Sequence, residues 1–388
     1  MTSEMEQTPA VHEFTLELLG EWATDPQGPV ALHLKQKLLP VEGEGGVIFP
    51  PTYADVGYNI DTLSDGTKVA TIDSVGSQAN RLEPIFKAAP SGQPENPLAK
   101  LVPQVEIKVR DNLSVSIFEV GHRMGDALVR STDLAEEAKA AFEAWLKGDA
   151  IRLAKLAPTS IVFGAWDSRD TSTKLPRIVQ SVIRAWDVQE LTRSAQYTPP
   201  VDYAALEVFS EEDKAKAEGN TKSPLAQRGF VHVPASGVPG GVVARGPIYR
   251  DVTINLIALR RIQSAQDSGD LRGYVLGLAL VAASQSFDGF LRQGCLLTPD
   301  PAAPSQWVAV GRDGVRSQVK LTAEAALAYA EAAAYRFGVG ESKIATFDNS
   351  RAKRDLEDKK DQGGRSRKGS TTPAANGHEG SAASQTAS

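Results

Sequence analysis

The sequence predicts an α+β protein. Segments with strand-like alternation and segments with helix-like periodicity follow one another irregularly along the 388 residues, whereas a doubly wound parallel sheet requires a regular βαβ order. An Asp-Gly turn at residues 313–314 separates two short strand-like runs, which is typical of a β-hairpin. Hydrophobic residues make up 41% of the chain and charged residues 23%, an ordinary globular composition that excludes collagen, wholesale disorder and a disulfide scaffold.

The individual elements are predicted from periodicity and from capping residues. Ser74 is the predicted N-cap of a helix over 74–86, and Thr322 is the predicted N-cap of an alanine-rich helix over 323–336. Strands are predicted, in chain order, over 30–39, 68–73, 105–109, 114–118, 160–165, part of 242–259, 307–310 and 315–320. Further helices are predicted over 121–130, 135–145 and 271–287.

Charge and composition divide the chain into three regions. Residues 1–27 form an acidic N-terminal extension, and the first 65 residues carry a net charge of −9. Residues 28–348 form the predicted folded core, with a charged, glycine- and proline-rich insertion at about 209–247 that we expect to be a long loop or an extended hairpin. Residues 349–388 hold few large apolar side chains and a net charge of about +3, so we expect a disordered basic tail.

Several classes of protein are disfavoured. Cys295 is the single cysteine, so an internal disulfide and a cysteine-based zinc site are impossible. The start lacks a signal-peptide pattern and the longest apolar run is too short to span a bilayer, so we expect a cytoplasmic protein with a reduced thiol and no membrane partner. The net charge of −6 argues against a generally basic nucleic-acid binder but allows a local basic groove.

Catalytic and cofactor signatures are also missing from the sequence. The zinc-protease, nucleophile-elbow and P-loop patterns do not occur, and the histidines are too scattered to suggest a metal cluster. We therefore expect no metal and no cofactor, and these absences argue against an enzyme without excluding one, because a catalytic triad need not show in a sequence.

The first candidate binding block follows a predicted strand end at residues 163–177. Hydroxyl groups and cations in one polar loop supply the donors and the positive charge that a phosphate backbone needs. An ordinary strand–loop–helix junction with a tryptophan in the core is the alternative interpretation. The candidate residues here are Trp166, Ser168, Arg169, Lys174 and Arg177.

Two further blocks lie on predicted helices or at their starts. Gln78, Asn80 and Arg81 belong to the helix over 74–86, where Gln78 and Arg81 share a face because they are three residues apart. His122 and Arg123 stand at a strand-to-helix turn, where a cation and a helix N-terminus together attract anions. An ordinary polar helix face remains the alternative for the first of these blocks.

The fourth block is a glycine-rich segment over residues 222–261. It holds six cations and one acid, the clearest charge segregation in the chain, and glycines let a backbone approach a phosphate closely. Arg228, Arg245 and Arg250 are its candidate contacts. A mobile loop with scattered cations is the alternative interpretation.

Together these blocks carry a family resemblance. The runs SVGSQANRLE from residue 74, GHRMGDA from 121, FGAWDSR from 163 with KLPR from 174, and RGPIYRDV from 245 resemble the RAMP-superfamily backbone subunit of type I-U (I-G) CRISPR–Cas effector complexes. The resemblance extends in order over about residues 28–340.

The resemblance implies a fold, a function and partners. The implied fold is a modified RNA-recognition-motif or ferredoxin-like antiparallel sheet, backed by helices and bearing inserted finger and thumb elements. The implied role, in antiviral defence, is non-catalytic: several copies polymerise along one CRISPR RNA, contact neighbouring copies and other subunits, and meet target DNA through the guide. No aromatic pair of the usual RNA-recognition-motif signature is visible, so the sequence does not predict stacking on the sheet.

Two other functions remain open at this point. A guide-processing endoribonuclease of the same superfamily would use His122 as a general base, and a His122→Ala variant would then bind but not cleave repeat RNA. An α+β enzyme acting on a carbohydrate or a nucleotide would use the loop from Trp166 to Lys174 as its pocket, and would bind a small ligand without RNA.

Overall fold

The computed structural model describes residues 11–13, 15–265 and 268–356. The strands are β1 (Val11–Glu13), β2 (Ala31–Pro40), β3 (Val47–Ile48), β4 (Thr52–Tyr53), β5 (Gly57–Tyr58), β6 (Ile60–Thr62), β7 (Lys68–Asp73), β8 (Val105–Arg110), β9 (Leu113–Ser116), β10 (Trp166–Asp167), β11 (Thr173–Lys174), β12 (Val179–Trp186), β13 (Val188–Tyr197), β14 (Val233–Ala244), β15 (Ile248–Asn255), β16 (Phe290–Arg292), β17 (Cys295–Pro299), β18 (Gln306–Val310), β19 (Arg316–Lys320) and β20 (Lys343–Thr346).

The helices alternate irregularly with these strands. They are α1 (Leu16–Thr24), α2 (Val75–Leu82), α3 (Ala127–Arg130), α4 (Ala135–Leu146), α5 (Ile151–Leu156), α6 (Pro158–Phe163), α7 (Glu211–Ala217), α8 (Pro224–Gln227), α9 (Leu256–Arg260), α10 (Ser268–Ser284) and α11 (Ala323–Phe337). Short 3₁₀ turns cover Glu83–Phe86, Ala99–Leu101, Ile117–Glu119 and Arg123–Gly125. The prediction of an α+β fold with an antiparallel sheet backed by helices is confirmed.

The main sheet has ten strands, with β1-β19-β18-β2-β15-β12-β7-β6 as its central path and β17 and β16 attached beside β2. All pairs along the path are antiparallel except β1 with β19. Because side chains alternate between the faces of a strand, directly paired residues share a face, and the register fixes what each face carries.

One face of the main sheet carries the hydrophobic core. Leu32 and Leu34 of β2 and Val252 and Ile254 of β15 are buried, and they pack in one cluster with α1, α9, α10 and α11. The helix α10 is buried on nearly all sides, which explains its continuous apolar sequence.

A second core cluster lies under the other end of the sheet. It joins β2, β7, β12 and β15 to the segment around β16 and β17. From this end β12 and β15 continue, through β13 and β14, into a long antiparallel hairpin, which we name the arm. The arm covers 188–244, pairs with β3 at its base, and bears α7 and α8 near its tip. The insertion predicted at about 209–247 is therefore its tip and its second strand.

Three sequence predictions need correction. Residues 121–130 were expected to form one helix, but they form the 3₁₀ turn Arg123–Gly125 and the separate short helix α3, because Asp126 between them adopts an extended backbone and caps α3. Residues 160–165 were expected to form a strand, but Pro158–Phe163 is the helix α6, with proline in its first turn. Residues 349–356, expected to begin a disordered tail, are helical. The remaining tail residues, 357–388, and the first ten residues of the acidic extension lie outside the described residues.

The acidic extension is not separate from the core. Within it, α1 begins at Thr15, whose side chain accepts a hydrogen bond from the Leu18 backbone N–H. Leu19 and Trp22 on this helix are buried in the main cluster. Among the described residues, no helix is long and apolar enough to cross a bilayer.

The helical segment 349–356 makes ion pairs with the core. Asp355 lies 3.3 Å from the Arg130 guanidinium, and Arg351 lies 3.2 Å from the Glu136 carboxylate. A chain ending at residue 348 is therefore expected to be about 1 kcal/mol less stable than a chain ending at 356, because partly exposed ion pairs each contribute little. Urea denaturation of the two chains measures the difference, and identical midpoints would show that the segment does not stabilise the core.

Candidate nucleic-acid interface

The candidate block that contains Gln78, Asn80 and Arg81 begins where β7 ends. Ser74 follows the strand directly, and its Oγ accepts a hydrogen bond from the Ser77 backbone N–H at 3.2 Å, so α2 starts as the sequence predicts. The preceding residue, Asp73, is buried and accepts hydrogen bonds from Ser77 Oγ at 2.8 Å and from Gln78 Nε2 at 2.7 Å. The polar face of α2 therefore points partly at a buried carboxylate.

Gln78 is the first correction among the candidate residues. Its side chain is only 2% exposed, because it lies between Asp73 and Ser181, whose hydroxyl donates to Gln78 Oε1 at 2.7 Å. Arg81 is partly exposed, but its Nε donates to Asp73 at 3.1 Å and its Nη2 donates to the Leu291 carbonyl. The i, i+3 spacing does place Gln78 and Arg81 on one face, but that face meets a buried carboxylate instead of solvent. Asn80 is exposed.

Arg123 is the second correction. Its side chain is buried, with Nε 2.7 Å from the carboxylate of Glu83, which is itself buried. Its Nη1 donates to the Gly164 carbonyl at 3.2 Å and its Nη2 donates to Asn80 Oδ1 at 3.3 Å. The residue adopts a φ of 54°, a region uncommon for a non-glycine residue, which turns the side chain inward. His122, next to it, is exposed.

Burial disfavours the ionised form of both residues in this pair, so it shifts their two pKa values in opposite directions. Burial raises the pKa of Glu83 to about 7, although the nearby Arg123 charge opposes the rise. Burial also lowers the pKa of Arg123, and the Glu83 charge counters that change. Each charge therefore depends on the other for compensation, which makes the pair a structural link between the 3₁₀ turn Glu83–Phe86 and the 3₁₀ turn Arg123–Gly125.

The block at 163–177 forms a small hairpin. Helix α6 ends at Gly164, whose φ of 78° suits glycine, and the chain then enters β10, which pairs with β11. Asp167 is buried and accepts hydrogen bonds from the Thr171 backbone N–H at 2.9 Å and from its hydroxyl at 2.7 Å. The Asp167 carboxylate therefore orders the turn. The Thr171 hydroxyl donates its proton to this carboxylate and not to a ligand.

The outer surface of the hairpin carries most of the residues that the sequence singled out. Trp166 is 57% exposed and is directly paired with Lys174, which is also exposed. Ser168 and Arg169 are exposed in the turn. Arg177 is exposed as well, although its Nε donates to the Phe163 carbonyl at 3.1 Å.

Three of the four blocks meet at this hairpin. Arg123 reaches both Gly164 and Asn80, as described above. Gly125 lies so close to the hairpin that a Cβ on it would be 2.8 Å from the Trp166 carbonyl oxygen. A Cβ on Gly76 would be 3.9 Å from the Arg177 guanidinium, which places this cation beside the first turn of α2. We name the exposed residues of this region the three-block surface: Asn80, His122, Trp166, Ser168, Arg169, Lys174 and Arg177.

The fourth block does not join the other three through the contacts of the described residues. Arg228 is exposed near the arm tip, and Arg245 is exposed at the arm base, where it donates to Gln189 Oε1 at 2.6 Å. Arg250 is a third correction, because only 2% of it is exposed. It lies on the core face of β15, 5.3 Å from the Phe287 ring centroid, and burial lowers its pKa to about 10. Arg250 therefore cannot meet a ligand at the surface.

The described residues hold no group of three or more histidine, cysteine or acidic side chains that could bind a metal ion. Cys295 is buried, and burial raises the pKa of its thiol to about 11. A thiol protonated at neutral pH is a poor nucleophile. The three-block surface exposes cations, one hydroxyl and one indole, which are groups suited to binding an anionic polymer.

Part of the chain is similar to a known protein family. Residues 32–190 match the family model described as CRISPR-associated protein GSU0053. The matched segment contains every residue of the three-block surface. No curated protein sequence matches the chain.

Two solved structures are similar to the chain at low identity. One is titled CRISPR RNA-guided surveillance complex, pre-nicking, and the other CRISPR RNA-guided surveillance complex. In each, 12% of aligned residues are identical, and the alignment covers 72% of this chain and 75% of the other. The TM-scores are 0.32 and 0.27, respectively.

Proposed function

We propose that this protein is the non-catalytic backbone subunit of a type I-U (I-G) CRISPR effector complex, and that it binds CRISPR RNA. Several copies polymerise along one guide, and the guide pairs with a target DNA strand. The observation that carries the proposal is the convergence of three separated sequence blocks, all inside the family-matched segment, on the three-block surface. Loops held on a rigid scaffold commonly carry binding residues.

The chemistry of the three-block surface fits the backbone of a guide better than its bases. Guides differ in sequence, so a subunit that follows one must contact phosphates rather than read base edges. Arg169, Lys174 and Arg177 supply positive charge, and the Ser168 hydroxyl is a neutral donor. The exposed indole of Trp166 offers a stacking surface that tolerates any base.

The proposed role needs no catalytic group in this chain. Guide processing and DNA degradation would then belong to other subunits. Polymerisation requires head-to-tail contacts between copies that do not close into a ring. The acidic first 65 residues, with a net charge of −9, are suited to meeting a basic surface of a neighbouring copy. The proposed setting is the cytoplasm.

The salt dependence of RNA binding tests the proposal. If about five phosphates are contacted per copy, the logarithm of the affinity for a CRISPR RNA should fall with the logarithm of the salt concentration with a slope of roughly −3 to −4. Exchanging the spacer of the guide for an unrelated sequence is the control, and we expect it to change affinity little. A slope near zero, or a strong preference for one spacer, would contradict phosphate-driven binding.

A further inference from the structure

The main sheet has a second face that carries no hydrophobic core. On β12 and β15 every second residue is buried, and β2 follows the same alternation except at the half-buried Gln36; the residues between them are partly or fully exposed. These alternate residues share one face because directly paired residues point the same way. We name this the open face, and its main side chains are Lys35, Arg184, Trp186, Tyr249, Thr253 and Arg316.

An aromatic and cationic group lies at the centre of the open face. Tyr249 of β15 is directly paired with Arg184 of β12, and the Lys35 ammonium of β2 stands 4.1 Å from the centroid of the Tyr249 ring. Trp186, 36% exposed, is the next residue of β12 on this face. It is therefore the diagonal neighbour of Tyr249, at a separation of about 7–8 Å that side chains of this size can bridge.

A third cation lies on the same face, two strands away from β2. Arg316 of β19 is exposed and pairs with Val310, which in turn pairs with Ala31 of β2. Burial lowers the pKa of His33, and the charges of Arg316 and Lys35 act in the same direction.

The charge balance of the open face is positive. Its carboxylates among the described residues include Asp251, which lies 3.4 Å from His33 Nε2, and the exposed Asp61 of β6, which pairs with Val69 beside Trp186. The His33 Nδ1 meets the Thr253 hydroxyl at 3.0 Å. Lys35, Arg184 and Arg316 outnumber these two carboxylates, and Lys37 on the same face of β2 is paired with Asp300 at 2.9 Å.

We propose that the open face is a second binding site for single-stranded nucleic acid, separate from the three-block surface. Bases would stack on Tyr249 and Trp186, while Lys35, Arg184 and Arg316 would meet the flanking phosphates. Exposed aromatic rings on an antiparallel sheet suit unpaired bases, because a duplex keeps its bases stacked inside. A wholly apolar partner would leave the three cations unpaired, so it fits this face less well. The ligand class is that of the proposed function, on which this inference rests.

Binding of a short RNA tests the open face directly. The probe is a fluorescently labelled 12-nucleotide single-stranded RNA, and the comparison probe is the same sequence as a duplex. The variant Lys35→Gln/Arg184→Gln/Arg316→Gln is expected to bind the single strand roughly 10–100-fold more weakly and to reduce the magnitude of the salt slope by about 2. The variant Tyr249→Ala is expected to weaken binding about 5–100-fold.

Ultraviolet crosslinking supplies a readout that does not depend on affinity. Peptides containing Tyr249 or Trp186 should carry crosslinked nucleotides, and Trp186→Phe should remove part of the quenching of tryptophan fluorescence that RNA causes. The melting temperature of each variant shows whether it remains folded. The exposed residues Lys108, Lys147 and Arg152, changed together to glutamine, remove the same three charges and are the matched charge control.

The possible results separate the two proposals. If the open-face variants bind like the natural sequence while changes in the three-block surface weaken binding, the open-face proposal is wrong and the proposed function stands. Equal affinity for the duplex and the single strand would also overturn it. If the unchanged protein binds no RNA at all, the proposed function fails, and this inference fails with it.

Discussion

Replacing Arg123 with methionine is expected to lower the free energy of unfolding by about 3–5 kcal/mol. The change removes the partner of the buried Glu83 carboxylate, which lies 2.7 Å from the Arg123 guanidinium. Breaking a buried ion pair on one side leaves an uncompensated charge, and this is costly. The variant also loses the hydrogen bonds to Gly164 and Asn80 that hold the hairpin and α2 together. Guanidinium chloride denaturation at pH 8, where Glu83 is mostly ionised, measures the loss.

Two companion variants show whether the unpaired charge is responsible. Glu83→Gln keeps the shape of the side chain and removes its charge, and Arg123→Met/Glu83→Leu removes both charges. The double variant should recover stability relative to Arg123→Met, because apolar replacements of a buried pair are often tolerated. A loss below about 1 kcal/mol for Arg123→Met would mean that the pair does not hold these loops together.

Replacing Arg169 and Lys174 together with alanine is expected to weaken binding of CRISPR RNA by about 1–3 kcal/mol. Both side chains are exposed on the hairpin, and charge-assisted hydrogen bonds have this order of magnitude. Arg177 is left unchanged because its Nε also donates to the Phe163 carbonyl, so its removal would mix binding with stability. Fluorescence anisotropy at physiological salt measures the affinity, and the melting temperature should hardly change.

The matched control for this pair is Lys147→Ala/Arg152→Ala. These two cations are also exposed but lie outside the three-block surface. The control removes the same net charge, so a similar loss of affinity in both double variants would indicate a general charge effect. Unaltered affinity for Arg169→Ala/Lys174→Ala would move the guide contact elsewhere, with Arg228 and Arg245 of the arm as the next candidates.

Much of the fold could be predicted from local sequence. Alternation identified β2 and β7 closely, and the hydroxyls of Ser74 and Thr322 marked the starts of α2 and α11. The error at 160–165 has a simple cause, because a short apolar run fits a buried helix as well as a strand. Pro158, which opens α6, was the available signal for a helix.

The candidate site was harder to predict, because side-chain direction depends on long-range contacts. Periodicity placed Gln78 and Arg81 on one face of α2, but only the fold shows that this face meets Asp73. The sequence predicted Arg123 and Arg250 to be surface cations, but both are buried. Arg123 is paired with the buried Glu83, and Arg250 lies against the Phe287 ring. A sequence does not reveal which cations will have such partners.

The open face also could not be predicted from local sequence, because its aromatic residues become neighbours only in the folded sheet. Tyr249 and Trp186 are far apart in sequence, on β15 and β12, so no aromatic pair was visible before the strand order was known. Once the register is given, they become diagonal neighbours beside Lys35 and Arg184. Pairing order between distant strands is set by the whole fold and not by either strand alone.

The most direct test of the proposed function is to identify the RNA that the protein carries. The protein should be purified from cells that express a CRISPR array, together with the Arg169→Ala/Lys174→Ala variant, and the bound RNA sequenced. We expect the unchanged protein to carry repeat–spacer RNAs with every spacer represented, and the variant to carry clearly less. Recovery of no RNA, or of cellular RNA without enrichment of the array, would contradict a guide-binding backbone.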